Sequence, residues 1–280
     1  MVITSHSSVI SQKNAFWTTE RIKEKARFKN RNEKRKSKHK RNFVNTVVDP
    51  VLSIINSELN FPIGLLFINL GSGLETTCTA SVINTENGNI GLTTAHCLTR
   101  DDGTTYDPDD ILFSPGFDNK ETGPLGTIKV EELAVPYTHL VNPIVADYAL
   151  IKLAFIDPNG GNASLQDHTG GLGWRFDIGN NTLTNVFGCP DSGDLVNCYK
   201  DGYHLCEWQG NVLKTEKEYI IKGINLGSGA SGAPMIFQYN RNEHLGYVYT
   251  VHEGYLNLTN ESFAPIWDEQ IFLGLLLRLS

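Results

Sequence analysis

Gly227-Ser228-Gly229-Ala230-Ser231-Gly232-Ala233-Pro234 sets three glycines and a proline around Ser231, late in a chain that elsewhere reads as short β-strands. Glycine reaches backbone conformations closed to other residues, so the run predicts a tight, non-repeating turn that aims amide N–H groups at one point. A serine on such a turn suits a nucleophile whose neighbouring amides hold a developing oxyanion. That chemistry needs a general base and a group to orient it. Upstream, Thr93-Thr94-Ala95-His96-Cys97 offers a histidine and Asp147-Tyr148-Ala149-Leu150-Ile151-Lys152-Leu153 an aspartate.

Outward from these three motifs the text is β-like. Phe61-Pro62-Ile63-Gly64-Leu65-Leu66-Phe67-Ile68 and Thr77-Cys78-Thr79-Ala80-Ser81-Val82-Ile83 are short apolar or β-branched runs. Asn87-Gly88 signals a hairpin before Ile90-Gly91-Leu92-Thr93-Thr94. Further runs lie at 126–135, 149–155, 183–187, 219–224, 235–238 and 247–251, separated by Gly-, Asn- and Asp-rich loops. Many short strands with turn signals predict a sandwich or barrel. Only the tail, residues 269–278, reads as a helix, expected to pack on the body.

The bulk numbers bound the possibilities. At 280 residues and 40% hydrophobic, the chain is long enough to bury a full core. The net charge of −7 hides a split: more than half of the 24 Lys and Arg fall within residues 1–41, against only Glu20, Glu24 and Glu33. The body is therefore acidic and is no nucleic-acid-binding domain, while the basic leader suits contact with acidic partners. The leader reads as a solvated charge run or as a propeptide ending at Lys38-His39-Lys40-Arg41, cut to expose Asn42. No apolar run reaches the length of a membrane-spanning helix, and residues 1–17 lack the apolar core of a secretory signal. Five cysteines leave at least one unpaired within the chain.

Taken singly, each motif has an ordinary explanation: a core histidine, a turn acid, a glycine turn. Together, and in the order His, Asp, Ser, Thr94-Ala95-His96-Cys97, Asp147-Tyr148-Ala149-Leu150 and Gly229-Ala230-Ser231-Gly232-Ala233-Pro234 resemble the signatures of chymotrypsin/trypsin-like serine peptidases. Thr77–Ile83 before the histidine motif, Val135-Pro136 before the aspartate motif and Phe187-Gly188-Cys189-Pro190 resemble the glutamyl endopeptidase branch in particular. The resemblance covers roughly Phe61 to the C-terminus. It implies an all-β fold of two six-stranded Greek-key β-barrels with a C-terminal helix, the peptidase domain filling residues 42–280 and its barrels joined around 155–180. It also implies a serine endopeptidase acting on protein or peptide substrates, as a monomer, with no cofactor or metal.

In that family Ser231 would be the nucleophile, His96 the base and Asp147 its orienting acid, with the N–H groups of Gly229 and Ser231 forming the oxyanion hole. A Cys78–Cys97 disulfide would tie the histidine loop to the preceding strand. Cys189, Cys198 and Cys206 allow three single pairs, of which Cys189–Cys206 is the expectation. The sequence departs from animal trypsins at Ala230, where they carry the aspartate that binds a freed N-terminus, and at Asn225, where trypsin-like enzymes place an acid for Lys or Arg. Val251-His252-Glu253-Gly254 resembles the strand whose histidine contacts a substrate carboxylate, so Asn225, Leu226, His252 and Gly254 are the expected substrate-binding set, with acidic P1 preference. Leu226 stands where that branch often has a threonine. The alternative is an inactive protease-fold binding protein. The expected location is secreted or extracellular.

Overall fold

A computed structural model describes residues 61–280. The leader 1–41 and the proposed new terminus Asn42 lie outside the described residues. The first half is a closed barrel in the order β1-β2-β3-β6-β5-β4, all antiparallel. Its strands are β1 (Ile63–Gly71), β2 (Leu74–Val82), β3 (Ile90–Thr93), β4 (Ile111–Pro115), β5 (Ile128–Ala134) and β6 (Ala149–Leu153).

Successive side chains of a strand point to opposite faces, so a strand apolar at every position must be covered on both. The Ile63–Ile68 part of β1 is such a run. Leu66 and Ile68 point into the barrel with Ala80, Val82, Phe113, Ala149, Ile151 and Leu153. Ile63, Leu65 and Phe67 point out, into a second core with Leu92, Leu150, Tyr148, Phe187 and Trp267. This second core binds the barrel to the rest of the chain.

The other half is an eight-stranded sheet in the order β13-β14-β10-β9-β8-β11-β12-β7. Six of its strands are five residues or longer: β8 (Thr182–Gly188), β9 (Cys206–Lys214), β10 (Glu218–Lys222), β11 (Pro234–Asn240), β12 (Leu245–Val251) and β14 (Glu261–Pro265). Two short ones, β7 (Gly173–Trp174) and β13 (Gly254–Leu256), extend its edges. The sheet curls around Val186, Trp208, Val212, Tyr219, Met235 and Tyr249. Short helices α1 (Tyr137–Val141) and α2 (Leu165–Thr169) lie in the connections either side of β6.

The last element, α3 (Glu269–Leu279), starts where the Asp268 carboxylate accepts the Ile271 N–H at 2.9 Å. Phe272, Leu275 and Leu279 form its buried stripe. Phe272 stacks on Trp267 and lies against Tyr148, the residue that opens β6 beside Asp147. The C-terminal helix thus backs the strand that presents the aspartate. Among the described residues no helix is long and apolar enough to cross a membrane.

Candidate active site

Asp147 sits at the mouth of β6 with only 2% of its surface exposed. The residue before it, Ala146, is held at φ +55°, a conformation that costs an alanine roughly 1 kcal/mol. Its carboxylate is fully engaged on one side by a single residue: Oδ1 accepts the His96 backbone N–H at 2.8 Å and Oδ2 lies 2.6 Å from His96 Nδ1. A carboxylate accepting from Nδ1 holds the imidazole with its proton there and leaves Nε2 as the free base. The His96 side chain is 40% exposed, so that nitrogen is accessible.

The histidine is pinned from beside. Cys97 is bonded to Cys78 of β2, as the resemblance implied. Cys78, His96 and Cys97 are the described residues that bring three metal-type ligand atoms together, and the disulfide commits both sulfurs. Closing a loop of 19 residues' separation restricts the unfolded chain by about 3 kcal/mol. Replacing Cys78 and Cys97 together by alanine is therefore expected to lower unfolding free energy by about that amount. The check is a denaturant titration, and an unchanged midpoint would show that the bridge does not brace the loop.

The serine turn is assembled from the other side. Gly227, Gly229 and Gly232 all have positive φ, at +97°, +85° and +85°, which explains the three glycines of the motif. The turn is laced to the 189–194 loop: the Asp191 N–H donates to the Ser228 carbonyl at 2.7 Å and the Ser228 N–H to Ser192 Oγ at 2.9 Å. It is also laced to the residue that follows β12, since the Gly232 N–H donates to the His252 carbonyl and the His252 N–H to the Ala233 carbonyl, both at 2.9 Å.

One residue that sequence reasoning passed over joins the two halves. Thr79 of β2 is fully buried; its N–H donates to the Ser231 carbonyl at 2.8 Å and its hydroxyl to the Gly229 carbonyl at 3.0 Å. The Thr79 carbonyl in turn accepts from Thr93 Oγ1 at 2.8 Å, three residues before His96. Through this chain the serine turn and the histidine loop share one anchor. Among the described residues the N–H groups of Gly229 and Ser231 have no acceptor, and Ser231 Oγ has no hydrogen-bond partner. Ser231 is itself partly exposed.

The remaining expected site residues divide. His252 lies beside the pair, close enough for His96 and Asp147 to act on it electrostatically, and only 1% exposed. Burial, reinforced by the His96 charge, pushes its pKa down to about 3, so it is a neutral imidazole. Glu253, next along and partly exposed, is pushed up to about 8, first by burial and then by the charges of Asp147 and Glu218. Gly254 opens the edge strand β13 and is partly exposed. Asn225 serves the turn itself, its Oδ1 accepting the Gly227 N–H at 2.9 Å. The Leu226 side chain packs in the core under the sheet, where it lines a small cavity beside the serine turn with Pro190, Ala230 and Ala233.

The cysteine expectation is corrected. Cys198 and Cys206 are bonded, while Cys189 is free and buried. Cys206 opens β9, and the loop returning to it brings Cys198 alongside, whereas Cys189 faces the serine turn: its carbonyl stands against Gly229 and its N–H donates to Thr79 Oγ1 at 3.1 Å. Ala230, the departure from trypsins, lies against Gly188 and is buried.

A second missed residue is His139 of α1. It is 1% exposed, and its Nδ1 lies 3.8 Å from Asp147 Oδ1, on the carboxylate oxygen that does not face the His96 ring. Nothing in a lone Tyr-Thr-His-Leu run signals this, because the contact depends on how the loop folds back onto β6.

No protein-family model matches the chain, and no curated protein matches it in sequence. Solved structures do. Protease Anisep from Arthrobacter nicotinovorans matches with a TM-score of 0.65 at 20% identity, over 81% of this chain and 99% of that one. The thermostable serine protease AL20 from an extremophilic microorganism matches at 0.61 and 20%, over 75% and 92% respectively. A Glu endopeptidase in complex with MPD matches at 0.59 and 19%, over 79% and 91%. At such identities the likeness is one of fold.

Proposed function

We propose that this chain, which has the fold of the chymotrypsin-like serine proteases, is a serine endopeptidase with His96, Asp147 and Ser231 as its triad. The observation that carries the reading is the buried Asp147 carboxylate, which takes both the backbone N–H and Nδ1 of His96 and leaves Nε2 to act on the serine turn. In the reaction, Ser231 Oγ attacks the scissile carbonyl as His96 Nε2 accepts its proton. The same proton then goes to the leaving amine, and water repeats the sequence on the acyl-enzyme. The unpaired N–H groups of Gly229 and Ser231 hold the oxyanion, a contribution typically about 3–4 kcal/mol. Among the described residues β13 pairs on one side only, with β14, which leaves its other edge for a substrate backbone. The two disulfides fit an oxidising compartment outside the cytosol.

For the substrate we propose acidic P1 residues, with His252 donating a hydrogen bond from a neutral ring rather than acting as a cation. Glu253 does not oppose this at neutral pH. With its pKa pushed up to about 8 it is mostly the neutral acid at pH 7, and ionises as pH rises past 8. Preference for Glu at P1 over Gln is therefore expected to fall between pH 7 and pH 9, as a second negative charge develops beside the substrate carboxylate. A fluorogenic peptide library varied at P1 tests this, with the full chain, a chain starting at Asn42, and the Ser231→Ala control. Cleavage after Glu, stronger from the Asn42 start and weakening above pH 8, supports the pocket and the propeptide together. Cleavage after other residues discards the His252 pocket and keeps the triad. A folded protein that neither cleaves nor reacts with a fluorophosphonate at Ser231 is the inactive binding protein instead.

A further inference from the structure

Asp147 has a histidine on each side. His96 takes Oδ2 at 2.6 Å, and His139 approaches Oδ1 at 3.8 Å from α1, whose residues Tyr137–Val141 precede the aspartate by a short loop. His139 is a costly residue to place there. It is 1% exposed, and among the described residues neither ring nitrogen has a well-aligned hydrogen bond, although the Val145 carbonyl lies near enough to favour a proton on the ring. A buried polar ring without partners is disfavoured unless it serves a neighbour. The groups acting on it are Asp147, which favours its protonated form, and His96, which opposes it. Burial, reinforced by His96, outweighs Asp147 and the Val145 carbonyl and holds its pKa below the usual histidine value, which favours the neutral ring.

Resting on the triad reading above, we propose that His139 is a positioning residue for Asp147: its Nδ1–H steadies Oδ1, so the carboxylate keeps Oδ2 on the His96 ring and divides its charge between two imidazoles. At 3.8 Å the contact is electrostatic rather than a close hydrogen bond, which suits steering without immobilising the carboxylate. Two consequences follow from sharing one negative charge. A donor on Oδ1 weakens the pull of Asp147 on the His96 proton. In acid, the second imidazole accepts its proton against the charge of the first, so the two titrate as a coupled pair.

The test compares the parent with His139→Phe, which removes the donor, and His139→Asn, which keeps an N–H near the Nδ1 position without titrating. The ring of His96 is followed by nitrogen-15 and proton NMR across pH, alongside the acid limb of kcat/KM. The Phe variant is expected to raise the His96 midpoint and the acid limb by about 0.5 pH unit, less than the ~1–3 units of a full charge nearby because the neutral ring acts only through its N–H dipole. The Asn variant is expected to restore most of that shift. An ordinary core histidine would change stability without moving either midpoint, and unchanged midpoints in a folded Phe variant would overturn the proposal. Equal shifts in both variants would overturn it as well. If the Phe variant does not fold, the parent decides: nitrogen-15 shifts showing His139 protonated on Nε2 with Nδ1 bare would reject the donor role. Failure of Ser231 to react with a fluorophosphonate would instead reject the peptidase reading, while the NMR measurements would still report on the two histidines.

Discussion

Replacing Ser231 by alanine is expected to reduce peptide hydrolysis by about 10⁶-fold in kcat while leaving the protein folded, as loss of a triad serine does elsewhere. The size follows from the chemistry: without Oγ no acyl-enzyme forms, and only substrate binding and the oxyanion donors remain. The intact fold follows from the local structure. Ser231 Oγ has no hydrogen-bond partner among the described residues, and what anchors this residue is its backbone carbonyl, held by the Thr79 N–H at 2.8 Å. Alanine keeps both the carbonyl and the Cβ. The thermal midpoint should therefore stay within about 2 °C, as for a substitution that removes no buried contact. Purified variant with parental turnover would remove Ser231 from the mechanism, whereas a collapsed midpoint would make lost activity uninformative about chemistry.

Gly232→Ala is expected to produce the largest loss of stability among single-methyl additions to the turn. An added Cβ would stand 2.1 Å from the Thr79 carbonyl oxygen and 2.3 Å from Thr93 Oγ1, at a φ of +85°. The backbone conformation alone costs about 1 kcal/mol. The overlap falls on both ends of the Thr93–Thr79 hydrogen bond, so relief requires parting β2 from the turn, and we expect a total of about 3–5 kcal/mol. For a domain this size that corresponds to roughly 10 °C in thermal midpoint. Gly160→Ala is the matched control: its φ is +72°, but nothing lies within 4 Å of the added carbon. It should lose only the conformational part. Equal losses in the two variants would mean that the contact between Thr79 and the turn is soft, and that the turn is not seated as described.

The parts of this site legible in the sequence are those encoded by neighbours along the chain. Glycines at 227, 229 and 232 announce a turn because the backbone there needs positive φ, and Gly88 at +75° does the same for the hairpin between β2 and β3. The near-continuous apolar runs of β1 and β6 announce strands buried on both faces. Other features depend on register between segments far apart, which no local pattern carries. Thr79 reads as one more β-branched strand residue until Gly229, 150 positions away, is laid against it. His139 reads as an unremarkable residue until its loop folds onto Asp147. Cys198 is preferred over Cys189 as the partner of Cys206 because of how the 189–205 loop returns, and spacing alone does not distinguish them. β4, β9 and β14 lie outside the apolar runs legible in the sequence.

Cys78 and Thr79 are consecutive residues of β2, and one fastens the segment carrying His96 while the other fastens the segment carrying Ser231. The gauge between the two segments is therefore set by a single peptide unit, whose length is invariant. The exposed turn 158–162 in the connection between the halves has no part in that measure. Lengthening or rewriting it leaves the gauge untouched, so variation can accumulate in that turn, and even additional sequence be spliced there, without detuning the chemistry. A shift of β2 by one residue along its neighbours would destroy it.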